Sequence, residues 1–197
     1  TDGLTGVLNR IGFNEQLEKY LNNNESKKCI GILLDVDNFK FINDVHGHAI
    51  GDQVLVQLAK SMKKEFPKNA VVGRNGGDEF CVLLKDCGED EAKLLIDNFT
   101  MKKRTFQCGG KEHKYSISLG YVEYPTYAQK SSELLRYADM ALYEVKLRGK
   151  HGCLPYRASY RGADSNSSQL GFKLNDISNN LPGAFFIYKA DRNDEQI

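Results

Sequence analysis

The residues Cys29-Ile30-Gly31-Ile32-Leu33-Leu34 form an unbroken apolar run bounded by polar residues. The run is far too short for the ~18 residues that cross a bilayer, and it lacks the polar alternation of a strand with one wet face. It therefore predicts a strand buried on both faces. The run delivers Asp35-Val36-Asp37 at its end, so carboxylates sit at the mouth of an apolar layer.

Helical and extended patterns alternate around this strand. Phe13, Leu17, Tyr20 and Leu21 recur at helical spacing over residues 11–21, and Asn22-Asn23-Asn24 is a stop. A short helix is predicted over residues 39–45 and a longer one over 52–66, with Val54, Leu55, Leu58 and Met62 as its apolar face, broken by Pro67-Lys68-Asn69. Val71-Val72 and residues 80–84 read as strands joined through Arg74-Asn75-Gly76-Gly77-Asp78-Glu79, a hairpin with glycines where positive φ is needed. Residues 89–99 are an amphipathic helix. Residues 105–108 and 115–122 read as strands separated by a Gly109-Gly110 turn. A last helix over 131–147 stops at Gly149, and 153–156 form an edge strand. Stripped of additions, this order contains β-α-β-β-α-β, the split arrangement whose antiparallel sheet carries its own helices on one face, which predicts an α+β, ferredoxin-like domain.

Composition narrows the function classes. With 27 Lys plus Arg against 26 Asp plus Glu, the net charge of +1 excludes a polybasic nucleic-acid binder. The five cysteines are odd in number and far apart, with no C-x-x-C, so neither a disulfide framework nor a zinc site is encoded. No transmembrane run or signal-peptide layout is present, and the chain reads as soluble and cytoplasmic. At 197 residues it holds one full domain, residues 1–156, and a remainder. Residues 157–169, with Ser159, Gly162 and Asp164-Ser165-Asn166-Ser167-Ser168, are linker-like. Beyond them, a short helix over 170–181 and a strand Ala184-Phe185-Phe186-Ile187-Tyr188 read as the truncated start of another domain over 170–197.

The chemistry gathers at adjacent chain reversals of one sheet. Asp35 and Asp37 end the buried strand, and Asp78 and Glu79 occupy the hairpin between two others. Like charges placed within a few ångströms repel unless a cation lies between them, and an all-oxygen donor set suits Mg²⁺. The turn Asn38-Phe39-Lys40 opens a helix whose N–H groups and dipole can hold phosphate oxygens. Lys146 and Lys150, one turn apart at the end of the last helix, add positive charge. Together these parts describe metal-assisted phosphoryl or nucleotidyl transfer. Taken singly, each has a bland reading: a solvated turn after a strand, or a well-made hairpin. His46 and His48 read as structural rather than as a metal pair, Tyr137, Leu142 and Tyr143 as core or interface, Cys81 as an apolar filler, and Arg74 as a brace for the hairpin.

The sequence closely resembles the GGDEF family, the diguanylate cyclases, whose signature stands intact as Gly76-Gly77-Asp78-Glu79-Phe80. Three further blocks carry the resemblance. Asp2-x-Leu4-Thr5-Gly6-x-Leu8-Asn9-Arg10 is similar to the family's opening. Asp35-Val36-Asp37-Asn38-Phe39-Lys40-x-Ile42-Asn43-Asp44-x-x-Gly47-His48-x-x-Gly51-Asp52 is similar to its second block, and Ala138-Asp139-x-Ala141-Leu142-Tyr143-x-x-Lys146 to its last helix.

The resemblance implies a palm-type nucleotidyl cyclase fold, a central mainly antiparallel sheet with surrounding helices. It also implies an activity: two GTP molecules, one on each subunit of a homodimer, condense into the bacterial second messenger cyclic di-GMP with release of two pyrophosphates. On this resemblance Asp35, the Val36 carbonyl, Asp78 and Glu79 hold two Mg²⁺ ions, for which Mn²⁺ can substitute, and Asp78 and Glu79 are catalytic, Asp78 as candidate base. Asn43 and Asp52 read guanine, beside which His48 packs. Gly76 and Gly77 flank the substrate, and Asn38, Phe39, Lys40, Lys146 and Lys150 take its phosphates.

Two departures stand out. Pro67-Lys68-Asn69-Ala70 replaces the family's Arg-x-x-Asp inhibition site, which argues against feedback by that route, and Lys150 stands where Arg is common. The stretch Phe185-Phe186-Ile187-Tyr188 resembles the first strand of a PAS sensory domain, which implies covalently linked sensory modules and allows a membrane-anchored whole protein. The alternative function is a non-catalytic GTP-binding regulator; a cyclic di-GMP receptor would need the missing inhibition site. Without an upstream element to raise local concentration, this chain is expected to be mostly monomeric and weakly active.

Overall fold

The computed structural model describes residues 1–22 and 28–163. A two-residue strand β1 (Leu8–Asn9) leads into α1 (Arg10–Asn22), the buried strand β2 (Cys29–Val36), and a helix pair α2 (Phe39–His46) and α3 (His48–Glu65). The hairpin β3 (Val71–Gly76) and β4 (Glu79–Lys85) follows, then α4 (Glu89–Met101) and a second hairpin of β5 (Arg104–Cys108) and β6 (Lys111–Tyr115). The chain continues with β7 (Ile117–Tyr124), α5 (Ser131–Leu147), β8 (Cys153–Pro155) and a 3₁₀ turn at Ala158–Ala163. One compact unit spans Thr1–Tyr160. Of the linker expected over 157–169, residues 164–169 fall outside the described residues, as do the helix over 170–181 and the strand over 184–188. No helix among the described residues is long and apolar enough to cross a membrane.

The main sheet runs β1-β3-β4-β2-β7-β8, antiparallel except for the parallel pairs β1/β3 and β7/β8. This is the expected α+β, mainly antiparallel architecture, with β2 at its centre. Alternate residues of β2 enter two separate cores. Ile30, Ile32, Leu34 and Val36 pack with Val54, Leu55 and Leu58 of α3 and with Ile96 and Phe99 of α4. Cys29 and Leu33 pack with Phe13 and Leu17 of α1 and with Leu134, Tyr137 and Ala138 of α5. The helices of the β-α-β-β-α-β frame, α3 and α4, share one face as expected, and α1 and α5, which lie outside that frame, cover the other. A strand apolar at every position needs two dry faces, so a layer on one side could not have satisfied it.

Other differences have local causes. The strand expected over 115–122 divides at Ser116: β6 belongs to the separate β5–β6 hairpin, turned through Gly109 and Gly110 at φ 58° and 75°, while β7 enters the main sheet. Helix α3 starts four residues before its expected start because Gly47, at φ 86°, already breaks the chain there. Asp35 lies inside β2 rather than beyond it, and the hairpin tip narrows to Gly77-Asp78, with a bulge between Arg74 and Gly76.

Helix α5 lies unusually close to the sheet because two glycines face it. A Cβ on Gly31 would collide with the Leu134 side chain, and one on Gly120 with the backbone of Ala138 and Leu142. Backbone cannot yield as a flexible side chain can. At the far edge, Arg104 caps α4 by donating to the carbonyls of Phe99 (2.5 Å), Thr100 (3.3 Å) and Lys102 (2.9 Å), and it lies over the Phe99 ring. Gly120→Ala is expected to cost about 2–3 kcal/mol of unfolding free energy, whereas Gly3→Ala, with nothing near its Cβ, should stay within about 0.5 kcal/mol. Urea titration followed by circular dichroism checks the difference.

Candidate active site

The pairing of β2 with β4 sets Asp35 directly opposite Glu79, and Asp78 sits beside Glu79 at the hairpin tip. Arg74 rigidifies this tip: its Nε and Nη2 donate to the Gly77 carbonyl at 2.9 and 2.6 Å, and Nη1 reaches Asp2 at 3.2 Å. Asp2 in turn accepts from the Thr5 N–H and hydroxyl at 2.9 and 2.6 Å, so the opening segment is tied to the signature turn. The Asn75 amide donates to Glu79. Glycine is required at the turn itself, since Gly76 and Gly77 have φ of 150° and 51°.

The acidic groups are crowded and half-buried. Burial pushes the Asp35 carboxyl up to about 6; the Lys146 ammonium seated on it pulls the other way, and Asp78 and Asp37 push it further up. Burial also raises Asp78, against its own backbone hydrogen bond, Lys146 and Arg74, with Glu79 adding to the rise. Lys146 projects from the last turn of α5 and, seated on Asp35, is a positive charge standing where these carboxylates call for one. Among the described residues, no three His, Cys, Asp or Glu side chains already converge on one point. The donor set of Asp35, Asp78, Glu79 and the Val36 carbonyl nevertheless consists wholly of hard oxygens, held on two registered strands and the hairpin tip beside them, and this fits Mg²⁺.

Asn38 opens α2 in the left-handed conformation, φ 56°, with no side-chain cap, which leaves the first-turn N–H groups of Phe39 and Lys40 without intrahelical partners. Its side-chain oxygen accepts from Lys150 Nζ at 2.7 Å. Lys150 is not on the last helix as expected. Helix α5 ends at Leu147, and Gly149, Lys150 and His151 all have positive φ, so Lys150 is presented by a strained loop. The reason is the helix stop itself: after the Gly149 reversal the chain must turn back into β8.

Across the α2–α3 junction, the Asn43 amide oxygen is buried and finds no hydrogen-bond partner among the described residues. A Cβ on Gly51 would collide with it, so glycine there keeps room for the Asn43 amide. Asp52 and His48 are exposed in the first turns of α3, and Lys40 is exposed on α2. His46 points elsewhere, against Phe106 and His113 of the second hairpin at centroid separations of 5.2 and 4.5 Å, and so makes no pair with His48. Tyr137 stacks on Tyr156 at 4.5 Å in the core, and Cys81 is buried.

The sheet thus gathers Asp35, Val36, Asp78, Glu79 and Lys146 at one end, with Asn38 and Lys150 joined beside them. Sequence reasoning placed Asp37 in the same acidic group, but its carboxylate is buried and takes hydrogen bonds from Ser116 and Ser118. The two serines carried no sequence signal. Only the proximity of β7 to the end of β2 shows their part.

The sequence profile of the family described as "Diguanylate cyclase, GGDEF domain" matches residues 1–152. The protein named diguanylate cyclase TpbB of Pseudomonas aeruginosa (PAO1) is 34% identical over 188 residues, covering 93% of this chain and 42% of that protein. The Escherichia coli K12 protein named cyclic di-GMP phosphodiesterase PdeR is 31% identical over 151 residues, 76% of this chain and 23% of its own length. The chain spans less than half the length of either relative. The solved GGDEF domain of TpbB superposes with a TM-score of 0.76 at 32% identity, covering 81% of this chain and 96% of that one.

Asp35 holds its proton more tightly in the fold than its ordinary 3.8 would allow, at about 6. Its contribution to stability is therefore full below pH about 4 and is withdrawn as pH rises through about 6. Asp35→Asn should remove this component, so that the stability of the variant relative to the native chain rises by on the order of 2 kcal/mol between pH 4 and pH 7. Urea titrations of both chains across that range measure it, and parallel profiles would contradict the assignment.

Proposed function

Because this chain belongs to the GGDEF family of diguanylate cyclase domains, matched over residues 1–152, we propose that it condenses two GTP into cyclic di-GMP and two pyrophosphates across a homodimer. The observation that carries this reading is the acidic set: Asp35 in register with Glu79, Asp78 at the adjoining tip, and Lys146 bound to Asp35. When bound by Asp35, the Val36 carbonyl, Asp78 and Glu79, Mg²⁺, or Mn²⁺ in its place, supplies positive charge to the reacting phosphate and lowers the pKa of the attacking hydroxyl.

The residues of the chain do the rest. Asn43 and Asp52 hold guanine, the carboxylate accepting from ring N–H and exocyclic NH₂, a donor pair that adenine lacks. His48 flanks the base, and the Gly76-Gly77 backbone lets the nucleotide approach the tip. The N–H groups of Asn38 and Phe39, with Lys40, Lys146 and Lys150, take the β- and γ-phosphates. The 3′-hydroxyl of one nucleotide gives its proton to Asp78 while its oxygen bonds to the α-phosphorus of the other. The bond to the β-phosphate oxygen breaks and pyrophosphate leaves; the reciprocal attack closes the ring. Without the ion, burial holds the Asp78 carboxyl above its ordinary value.

A second reading, a GTP-binding regulator without turnover, is favoured by one observation: the relatives include proteins named phosphodiesterases. In the whole protein, sensory modules joined to this domain would set its activity under either reading.

Mass spectrometry after incubation with GTP and Mg²⁺ at high protein concentration should find cyclic di-GMP, with Asp78→Ala reducing its rate at least about 100-fold. GTP binding by calorimetry without product would favour the regulator. Gly51→Ala, which drives a methyl group into the Asn43 amide, should weaken GTP binding about tenfold or more while leaving the melting transition cooperative.

A further inference from the structure

Asp37 lies one residue past β2 and is only 5% exposed, yet its surroundings are polar in an organised way. Its carboxylate accepts from the Ser116 hydroxyl at 2.6 Å, the Ser118 hydroxyl at 2.6 Å and the His151 N–H at 3.1 Å, while its own N–H donates to the Ser116 carbonyl at 3.0 Å. These groups come from three separate stretches of chain: the β2–α2 turn, the start of β7, and the loop after α5. A buried carboxylate is tolerated when its lone pairs are filled by such donors.

The third stretch matters most. Lys150 and His151 are consecutive non-glycine residues at φ 66° and 50°, a conformation that persists only where neighbours over-determine it. His151 donates its N–H to both Asp37 and the Ser118 hydroxyl, at 3.1 Å each. Lys150, one residue earlier, reaches Asn38, one residue after Asp37, at 2.7 Å. Asp37 thus grips both ends of the Lys150–Asn38 contact, one through its own backbone and one through the His151 N–H.

Building on the phosphate sites proposed above, we infer that Asp37 is a positioning residue: through its buried carboxylate it holds the Lys150 loop against the Asn38 turn and so fixes the arrangement that receives the β- and γ-phosphates. It acts through Lys150, Asn38 and Phe39 and does not touch substrate. Asn at position 37 preserves shape but can present an NH₂ where the carboxylate accepted, facing the His151 N–H with a second donor.

The test compares GTP, which carries those phosphates, with GMP, which lacks them, by calorimetry and NMR titration on the native chain, Asp37→Asn, Lys150→Met and the double variant. Asp37→Asn should weaken GTP about tenfold and change GMP less than about twofold, and Lys150→Met should add little once Asp37 is changed. A loss of base binding from general loosening would instead weaken GTP and GMP alike, and that result would overturn the inference. Unchanged GTP affinity in Asp37→Asn, in a native chain that prefers GTP over GMP, would overturn the inference alone. A native chain with no such preference would overturn the phosphate-site reading and the inference with it. If Asp37→Asn lacks the native circular dichroism spectrum, Ser118→Ala, which removes one hydroxyl from the same carboxylate, carries the same comparison with the same expected and opposing results.

Discussion

Asp35 lies in register with Glu79 across two hydrogen-bonded strands and is pressed by the charges of Asp78 and Asp37, a repulsion that would relax if β2 could slide along β4. It cannot slide, because a shift of one residue would exchange the two faces of β2 and send Ile30, Ile32 and Leu34 out of one core and Leu33 out of the other. Like charges in direct cross-strand opposition cost roughly 0.2–1 kcal/mol, whereas each fully buried aliphatic side chain contributes about 1.5–3 kcal/mol. Burial wins by a wide margin. The apolar filling of the strand holds a pair of carboxylates together that electrostatics alone would separate, and Lys146 on the neighbouring helix neutralises part of the charge that remains.

The two lysines near the site are held by different means. Lys146 stands on a helix seated against the sheet, so its placement follows from packing. Lys150 stands on a loop with three successive positive φ values, so its placement follows from hydrogen bonds. The first kind of support is spread over the whole helix–sheet contact. The second is concentrated in a few polar atoms, and losing one of them leaves a strained backbone with less reason to stay where it is.

This contrast also explains what could be read in the sequence. The central strand, the two long helices and the signature hairpin announce themselves through short-range pattern: an apolar run, a repeat of 3.6, a pair of glycines. The α+β class followed from their order. Three things did not follow. A β-α-β-β-α-β order does not say that α1 and α5 cover the face opposite α3 and α4; only the consequence of a strand with no polar face does. The break at Ser116, inside a stretch that reads as one strand, depends on Asp37, a residue 79 positions earlier. Lys150 falls at the spacing of a helical neighbour of Lys146, but the helix has already ended. In each case a contact between distant parts of the chain overrides the local signal, and the same holds for Asp37, whose spacing from Asp35 suggests a shared task while its hydrogen bonds assign it another.

The glycines beneath α5 give that helix a fulcrum. Contact with Gly120 falls at residues 138–142, and Lys146 lies four to eight residues further along, about 6–12 Å at 1.5 Å per residue. A tilt of about 5° around that point would carry the ammonium nearly 1 Å toward or away from Asp35 for a lever of about 10 Å. A close seat in the middle and a charged group at the end convert a small rocking of one helix into a large fractional change in a short ionic contact. The hinge-like leverage comes from two missing methyl groups.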